Sequence, residues 1–423
     1  MVPFSRKTAF SRVTTLAARR PVHAAFAWMH NNPQTLMDWQ ASLVAIPAPP
    51  FGEQARSAWM ASRFTEIGLH DIRTDSIGNV IGIIPAAKLP AESSGPAVVL
   101  SAHLDTVFPL ETPLNPRVTR DNAVLRLTAP GACDNGAGVA GLLALAKALL
   151  HANVELAVPI VILANVGEEG EGDLRGVRHF YDADPFASRV AAHIVLDGAG
   201  ADSAVTQALG SRRFQTTITG PGGHSFTDAG TPNPIAALAS ALATVAATQL
   251  PDEPRTTLNL GTIHGGTSVN SIPESATAAI DFRSTSPAEL VRLEVALHRA
   301  VEDAVERANA QAQAYPTRCR GPLSFAIKKI GDRPAAVLPS DSPLLETLRS
   351  VDRHLGFRTD LRLGSTDANI PIARGIPALS MGAGGEGGGA HTLAEWYTDK
   401  DRELGLRRVL LLTLATAEWA AEL

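Results

Sequence analysis

The sequence predicts an α/β fold: a mixed, mostly parallel sheet flanked by helices and interrupted by an inserted ferredoxin-like α+β domain. Three observations point there. At 423 residues the chain exceeds the size at which a single core stops growing, so a large domain plus a smaller one is expected. From about residue 35 to 205, short β-branched runs alternate with helical stretches, the rhythm of a sheet covered by helices on both faces. Between 211 and 328 the order becomes strand, helix, strand, strand, helix, strand, that of a split βαβ unit.

Taken in order, the apolar run 97–100 leads into Ser101-Ala102-His103-Leu104-Asp105, and 136–150 is an Ala/Leu-rich helix opened by a glycine-rich turn. Residues 158–164 read as a buried strand running into Gly167-Glu168-Glu169, and 193–196 as another ending at Asp197-Gly198. In the second region strands are expected at 213–219, 256–263, 276–283 and 323–329, with helices at 235–248 and 287–310. The region begins and ends beside α/β sequence, so it reads as an insertion: 211–328 divides a larger domain into 1–210 and 329–423. The chain then returns with a helix at 342–355, a strand at 378–381, a glycine-rich loop to Gly389 and a final helix from about Leu404.

Composition narrows the function classes. With 45% hydrophobic and 19% charged residues the chain has ample material for a core. A net charge of -5, from 42 acidic and 37 basic side chains, lacks the basic footprint of a nucleic-acid binder. The two cysteines, Cys133 and Cys319, lie far apart, which fits a reducing compartment, and cytoplasm is the expected location. Arg6, Lys7, Arg12, Arg19 and Arg20 precede any acid, a pattern that reads as a basic helix or as an organelle-targeting segment. No stretch reads as a membrane span, and no membrane partner is expected.

The chemistry-bearing residues gather at strand ends. His103 and Asp105, two apart, leave the same face of the pleat and suit a metal ligand and the carboxylate that orients it, although a satisfied, partly buried histidine is the plainer alternative. Asp134 sits in the turn Gly131-Ala132-Cys133-Asp134-Asn135-Gly136 directly before a helix, where it would cap the helix or bridge two cations. Cys133 reads as a small buried hydrophobe. Adjacent Glu168 and Glu169 would repel unless cations or solvent separate them, and neighbours point different ways, so one can ligate while the other acts as a base. The alternative is a solvated acidic loop with Glu171 and Asp173. Asp197 and His391 fall on the same expected sheet edge, where open-sheet sites form, though alone each reads as a turn or loop residue.

With these anchors in order, the sequence resembles the zinc peptidases and deacylases that include glutamate carboxypeptidase, tripeptide aminopeptidase, succinyl-diaminopimelate desuccinylase, acetylornithine deacetylase and aminoacylase. The motifs are Ser101-Ala102-His103-Leu104-Asp105-Thr106-Val107, Cys133-Asp134-Asn135-Gly136, Gly167-Glu168-Glu169-Gly170, Leu196-Asp197-Gly198 and Gly389-Ala390-His391, and the likeness spans nearly all of the chain beyond residue 35. It implies a zinc-exopeptidase-like fold and two zinc ions, with cobalt or manganese as substitutes. His103 and Asp197 would hold one ion, Glu169 and His391 the other, and Asp134 would bridge them. Asp105 would orient His103, and Glu168 would be the general base.

The same resemblance implies that the insertion is a lid and dimerisation domain. Gly220-Pro221-Gly222-Gly223-His224-Ser225 is similar to the segment whose histidine reaches the partner subunit's active site, which makes His224 an oxyanion candidate. Asn270, Arg283 and the stretch Gly364-Ser365-Thr366-Asp367-Ala368-Asn369, with Asp367 and Asn369, look like substrate-contacting parts, with a turn, a sheet-face ion pair and a helix cap as the plainer alternatives. The run 382–389 is more glycine-rich than the family pattern. The expected activity is hydrolysis of a small peptide, with an N-acyl amino acid deacylase sharing the same site and a catalytically silent binding protein as rivals. Arg283 or Arg362 would clamp a substrate carboxylate in a carboxypeptidase or deacylase.

Overall fold

The structure, a computed structural model, describes residues 8–87, 95–314 and 316–423. Two compact units result, one from residues up to Ala208 together with Val337–Leu423, the other Leu209–Ala336. The insertion anticipated to end at 328 runs further because that position falls inside the strand Ser324–Arg333, which pairs with Gly210–Thr219 to its end.

In the first unit the strand order is His70–Thr74, Val80–Ile84, Ile160–Asn165, Ala97–His103, Val190–Leu196, Ala378–Met381, Ser203–Ala208. The four strands from Ile160–Asn165 to Ala378–Met381 run parallel, which is why their sequences are nearly continuous apolar runs. Alternate residues serve opposite layers: Leu100 and Ala102 face a core shared with Leu142 and Leu410 of the helices Gly136–His151 and Arg402–Ala420, while Ala97 and Val99 pack with Phe180 and Tyr181. Register aligns His103 with Asn165 and Leu196 with Met381. The residues that follow these strands therefore emerge on one edge.

The basic N-terminal stretch is built into this unit. Val13, Leu16, Val22, Ala25, Phe26 and Met29, from the helices Ala9–Ala17 and Arg20–Asn31, join the main core. Arg12 and Arg19 pair with Glu422 and Glu418 at 2.7 and 2.5 Å. Arg6 and Lys7 lie outside the described residues. Among the described residues no helix is long and apolar enough to cross a membrane.

A second, antiparallel sheet, absent from the sequence reading, joins Arg117–Asp121, Val124–Thr128, Trp396–Thr398 and Glu386–Gly388. Its last hairpin explains the glycine run. At Gly385, φ is +78° and a β-carbon would lie 2.2 Å from the Tyr397 hydroxyl; at Gly387 it would lie 2.3 Å from Sγ of Cys133. Backbone fills the space that side chains would need.

In the second unit the order is Thr256–Gly265, Ser275–Ser284, Gly210–Thr219, Ser324–Arg333, all antiparallel. Strict alternation along Ser275–Ser284 turns Ala276, Ala278, Ile280 and Phe282 inward, onto the helices Pro234–Ala246 and Pro287–Ala312.

Candidate metal centre

The strand Ala97–His103 ends by delivering a buried imidazole. Nδ1 of His103 lies 3.1 Å from the main-chain oxygen of Asp105. A carbonyl only accepts, so Nδ1 carries a proton, and Nε2 is the nitrogen left to hold a second proton or a metal ion. Nε2 faces Oδ1 of Asp134 at 3.2 Å and Oδ1 of Asp197 at 3.8 Å. Asp105 thus orients the ring chiefly through its backbone, since its Oδ1 stands 3.6 Å from Nδ1. Its carboxylate accepts instead from the amides of Glu168 at 2.9 Å and Glu169 at 2.8 Å. Burial opposes ionisation of Asp105, but the His103 ring and these amides outweigh it and hold the carboxyl below its ordinary range.

Asp134 is spared from capping by its neighbour. Asn135 caps the helix Gly136–His151, its Oδ1 accepting from Gly138 at 3.0 Å, while its Nδ2 donates to the Leu196 carbonyl at 2.9 Å. The Asp134 carboxylate is left to span two histidines, with Oδ1 toward His103 and Oδ2 3.1 Å from Nε2 of His391. His391 also reaches Oε1 of Glu169, at 3.0 Å. Its backbone is left-handed, φ 64°, at a turn between two strands of the small sheet.

Glu168 and Glu169 are both buried, so the acidic-loop alternative does not describe them. Burial pushes the Glu169 carboxyl above its ordinary range against the pull of His103 and His391. Burial also opposes protonation of His103, yet Asp105, Asp134 and Asp197 overcome it and raise the ring well above its ordinary value. His391 is pushed up to about 9, first by its hydrogen bond with Asp134. Asp134 is held well below the carboxylate range, because both imidazoles outweigh its burial. The cluster is one that favours added positive charge.

His103, Asp134 and Asp197 form one group that could hold a metal ion and Asp134, Glu169 and His391 another; His103 also groups with Glu168 and Glu169. Within each group the candidate ligand atoms lie within 4.8 Å of one another. Oδ1 of Asp134 is buried and has no hydrogen-bond partner among the described residues, although Nε2 of His103 stands 3.2 Å away. A buried carboxylate oxygen facing an imidazole nitrogen in this way fits a cation between them, and the carboxylate and imidazole groups suit a divalent ion.

Of the other sequence candidates, Asp367 is fully buried and accepts from Asn165 at 2.7 Å, and burial pushes it up to about 7. Asn369, also buried, accepts from the Thr366 amide at 3.0 Å, an arrangement that shapes the start of the helix Asn369–Ala373. His224, Asn270 and Arg283 belong to the second unit. His224 is exposed, and its Nδ1 accepts from the Phe226 amide at 3.2 Å. The Asn270 carbonyl accepts from the Ser225 amide at 3.0 Å. Arg283 pairs across its sheet face with Asp281 at 2.8 Å, and Arg362 pairs with Asp360 at 3.0 Å.

Sequence reasoning missed Asn135, Asn165 and Arg56. Arg56 is buried and donates to the carbonyls of Leu104 at 2.6 Å and Ile46 at 2.8 Å, which brace the loop after His103. Nothing in the pattern of its helix, Gln54–Ile67, marks it out. Asn135 had a signal: of two adjacent capping residues, only one can be the cap.

A family model described as peptidase family M20/M25/M40 matches residues 99–415. The chain belongs to that family. The M20 match begins after the N-terminal helices, so Arg56 lies before it. A probable carboxypeptidase of Aspergillus clavatus is 29% identical over 269 residues, covering 60% of this chain and 58% of that protein. The chain thus spans about half the length of the curated relatives it matches. The aminopeptidase PepT of Bacillus cereus aligns with a TM-score of 0.68 at 20% identity, covering 92% of this chain and 99% of that one. The YXEP protein of Bacillus subtilis, described as a dinuclear metal binding peptidase of family M20, aligns with a TM-score of 0.60 at 17% identity, covering 94% and 99%. Both likenesses are of fold, a mixed and mostly parallel sheet flanked by helices, with a sheet-rich second unit.

Proposed function

We propose that this M20 family member hydrolyses a C–N amide bond of a small peptide at a dinuclear zinc site, with Glu168 as general base. The observation that carries the reading is the Asp134 carboxylate, one oxygen directed at Nε2 of His103 and the other at Nε2 of His391. His103 and Asp197 would hold one ion and Glu169 and His391 the other, with Asp134 shared. When bound, the ions supply Lewis acidity and bring the pKa of water toward neutrality.

The remaining steps belong to the chain. Glu168 takes a proton from the attacking water and returns it to the leaving amine. Asp105 holds the backbone of Glu168 and Glu169, fixing the directions in which base and ligand leave the chain. Negative charge then develops on the former carbonyl oxygen, and His224 donates to it. The reading of His224 is supported by its Nδ1, which accepts from an amide, so that Nε2 carries the proton. Lid closure by the inserted unit would exclude water, and a homodimer would form through that unit. Its edge strand Thr256–Gly265 leaves Leu260 and Ile263 exposed. A cytoplasmic location completes the reading.

A panel of dipeptides, tripeptides and N-acyl amino acids, assayed with zinc, cobalt and manganese, tests this function. Hydrolysis of a peptide that stops on chelation and returns with zinc is the expected result. Cleavage of acyl amino acids alone would make the protein a deacylase, and metal-loaded protein inert toward the whole panel would overturn the enzyme reading. Light scattering tests the dimer, and a fully active monomer would overturn a role for His224 across subunits.

A further inference from the structure

Glu395 is fully buried, four residues after His391 and directly before the strand Trp396–Thr398. A carboxylate in that position must be satisfied at both oxygens. Oε2 accepts from the Gly131 amide at 2.9 Å, and Oε1 accepts from the amides of Cys133 and Asp134, each at 2.7 Å. The backbone of Glu395 ties in as well, its carbonyl accepting from Ala129 at 3.1 Å and its amide donating to Thr392 at 3.2 Å. From another side Gln40 donates to the Ala132 carbonyl at 2.5 Å. The turn carrying Asp134 and the turn carrying His391, residues 257 apart in sequence, are thus pinned by one side chain.

We infer that Glu395 is a positioning residue: its carboxylate gathers the amides of Gly131, Cys133 and Asp134 and so sets the spacing of Asp134 and His391 as metal ligands. The inference rests on the metal-centre reading above. Three convergent N–H groups require acceptors at both oxygens, and a ligand's supporting partners commonly govern metal affinity. An amide in place of the carboxylate cannot serve them: whichever way it is turned, its NH2 meets at least one N–H. Aspartate keeps the charge but is one methylene too short to span all three.

The test compares wild type, Glu395→Gln and Glu395→Asp, each stripped of metal and titrated with zinc against a chromophoric chelator, then loaded with cobalt for visible absorption. Wild type should bind two ions. Because Asp134 is shared, Glu395→Gln should weaken zinc binding about 10–100-fold at one or both ions, with altered cobalt bands. Equal affinities and identical bands in a variant with native circular dichroism would overturn the inference and leave the metal-centre reading standing. If Glu395→Gln loses its native circular dichroism, Glu395→Asp decides: a loss of about tenfold or more supports the inference and a smaller change overturns it. Wild type that binds no zinc would overturn both.

Discussion

The carboxylate of Asp105 grips the main-chain amide of Glu168 at 2.9 Å and, through its second oxygen, that of Glu169 at 2.8 Å. One side chain therefore aims both the proposed base and a proposed ligand. Asp105→Asn turns an NH2 toward one of those amides. Its kcat should fall roughly 10–100-fold while His103, oriented by a backbone carbonyl, keeps its place. Steady-state kinetics with metal analysis checks this, and unchanged kcat would contradict it.

Glu168→Gln tests the proposed separation of proton transfer from metal binding. The variant should retain both ions and lose about 10²–10⁴-fold in kcat, the range that general base catalysis supplies. Metal content by emission spectrometry, read beside turnover, distinguishes this from the loss of a ligand.

Asn135→Ala removes the helix cap together with the bonds to Leu196 and Gly198. A loss of about 2 kcal/mol is expected, the upper end for a cap, because Asn135 is also buried. Urea unfolding should show a lower midpoint with the slope unchanged.

His193 sets a pH dependence of stability. It is fully buried between the Tyr181 hydroxyl at 3.0 Å and the Ser101 hydroxyl at 2.8 Å, and burial pushes it from 6.5 down to about 3. The folded protein keeps this ring neutral while the unfolded chain protonates it below 6.5. Stability is therefore complete above pH 6.5 and falls as the pH drops toward 3, by at most about 5 kcal/mol. His193→Gln should flatten that part of the curve in unfolding measured at a series of pH values, and an unaltered slope would exclude the histidine as its source.

Metal removal should lower stability as well as activity. Four carboxylates, those of Asp134, Glu168, Glu169 and Asp197, belong to the groups around His103 and His391 that could hold metal, so zinc at a hundredfold excess over its Kd should add about 2.7 kcal/mol. Thermal melts with and without chelator measure the difference.

Much of this was legible because strand ends and candidate ligands coincide. The runs before His103, Asp197 and the Glu168-Glu169 pair are apolar enough to mark buried parallel strands, and a buried strand that ends in acids is conspicuous. Alternation made the strand Ser275–Ser284 equally plain. The small sheet escaped notice because two of its strands are three residues long and one contains two glycines. Arg56, Gln40 and Asn165 act through hydrogen bonds to distant backbone or side chains, and a linear pattern carries no trace of such partners.

The amide of Leu338 donates to the carbonyl of Thr206 at 2.9 Å, so the chain leaves and re-enters the first unit at hydrogen-bonded neighbours. The intervening stretch behaves as a cassette on a single doorway. Loop-closure entropy grows only with the logarithm of length, so lengthening or exchanging the cassette costs the first unit little. Evolution can therefore retune whatever that cassette binds while leaving the strand ends, and the candidate ligands they carry, untouched.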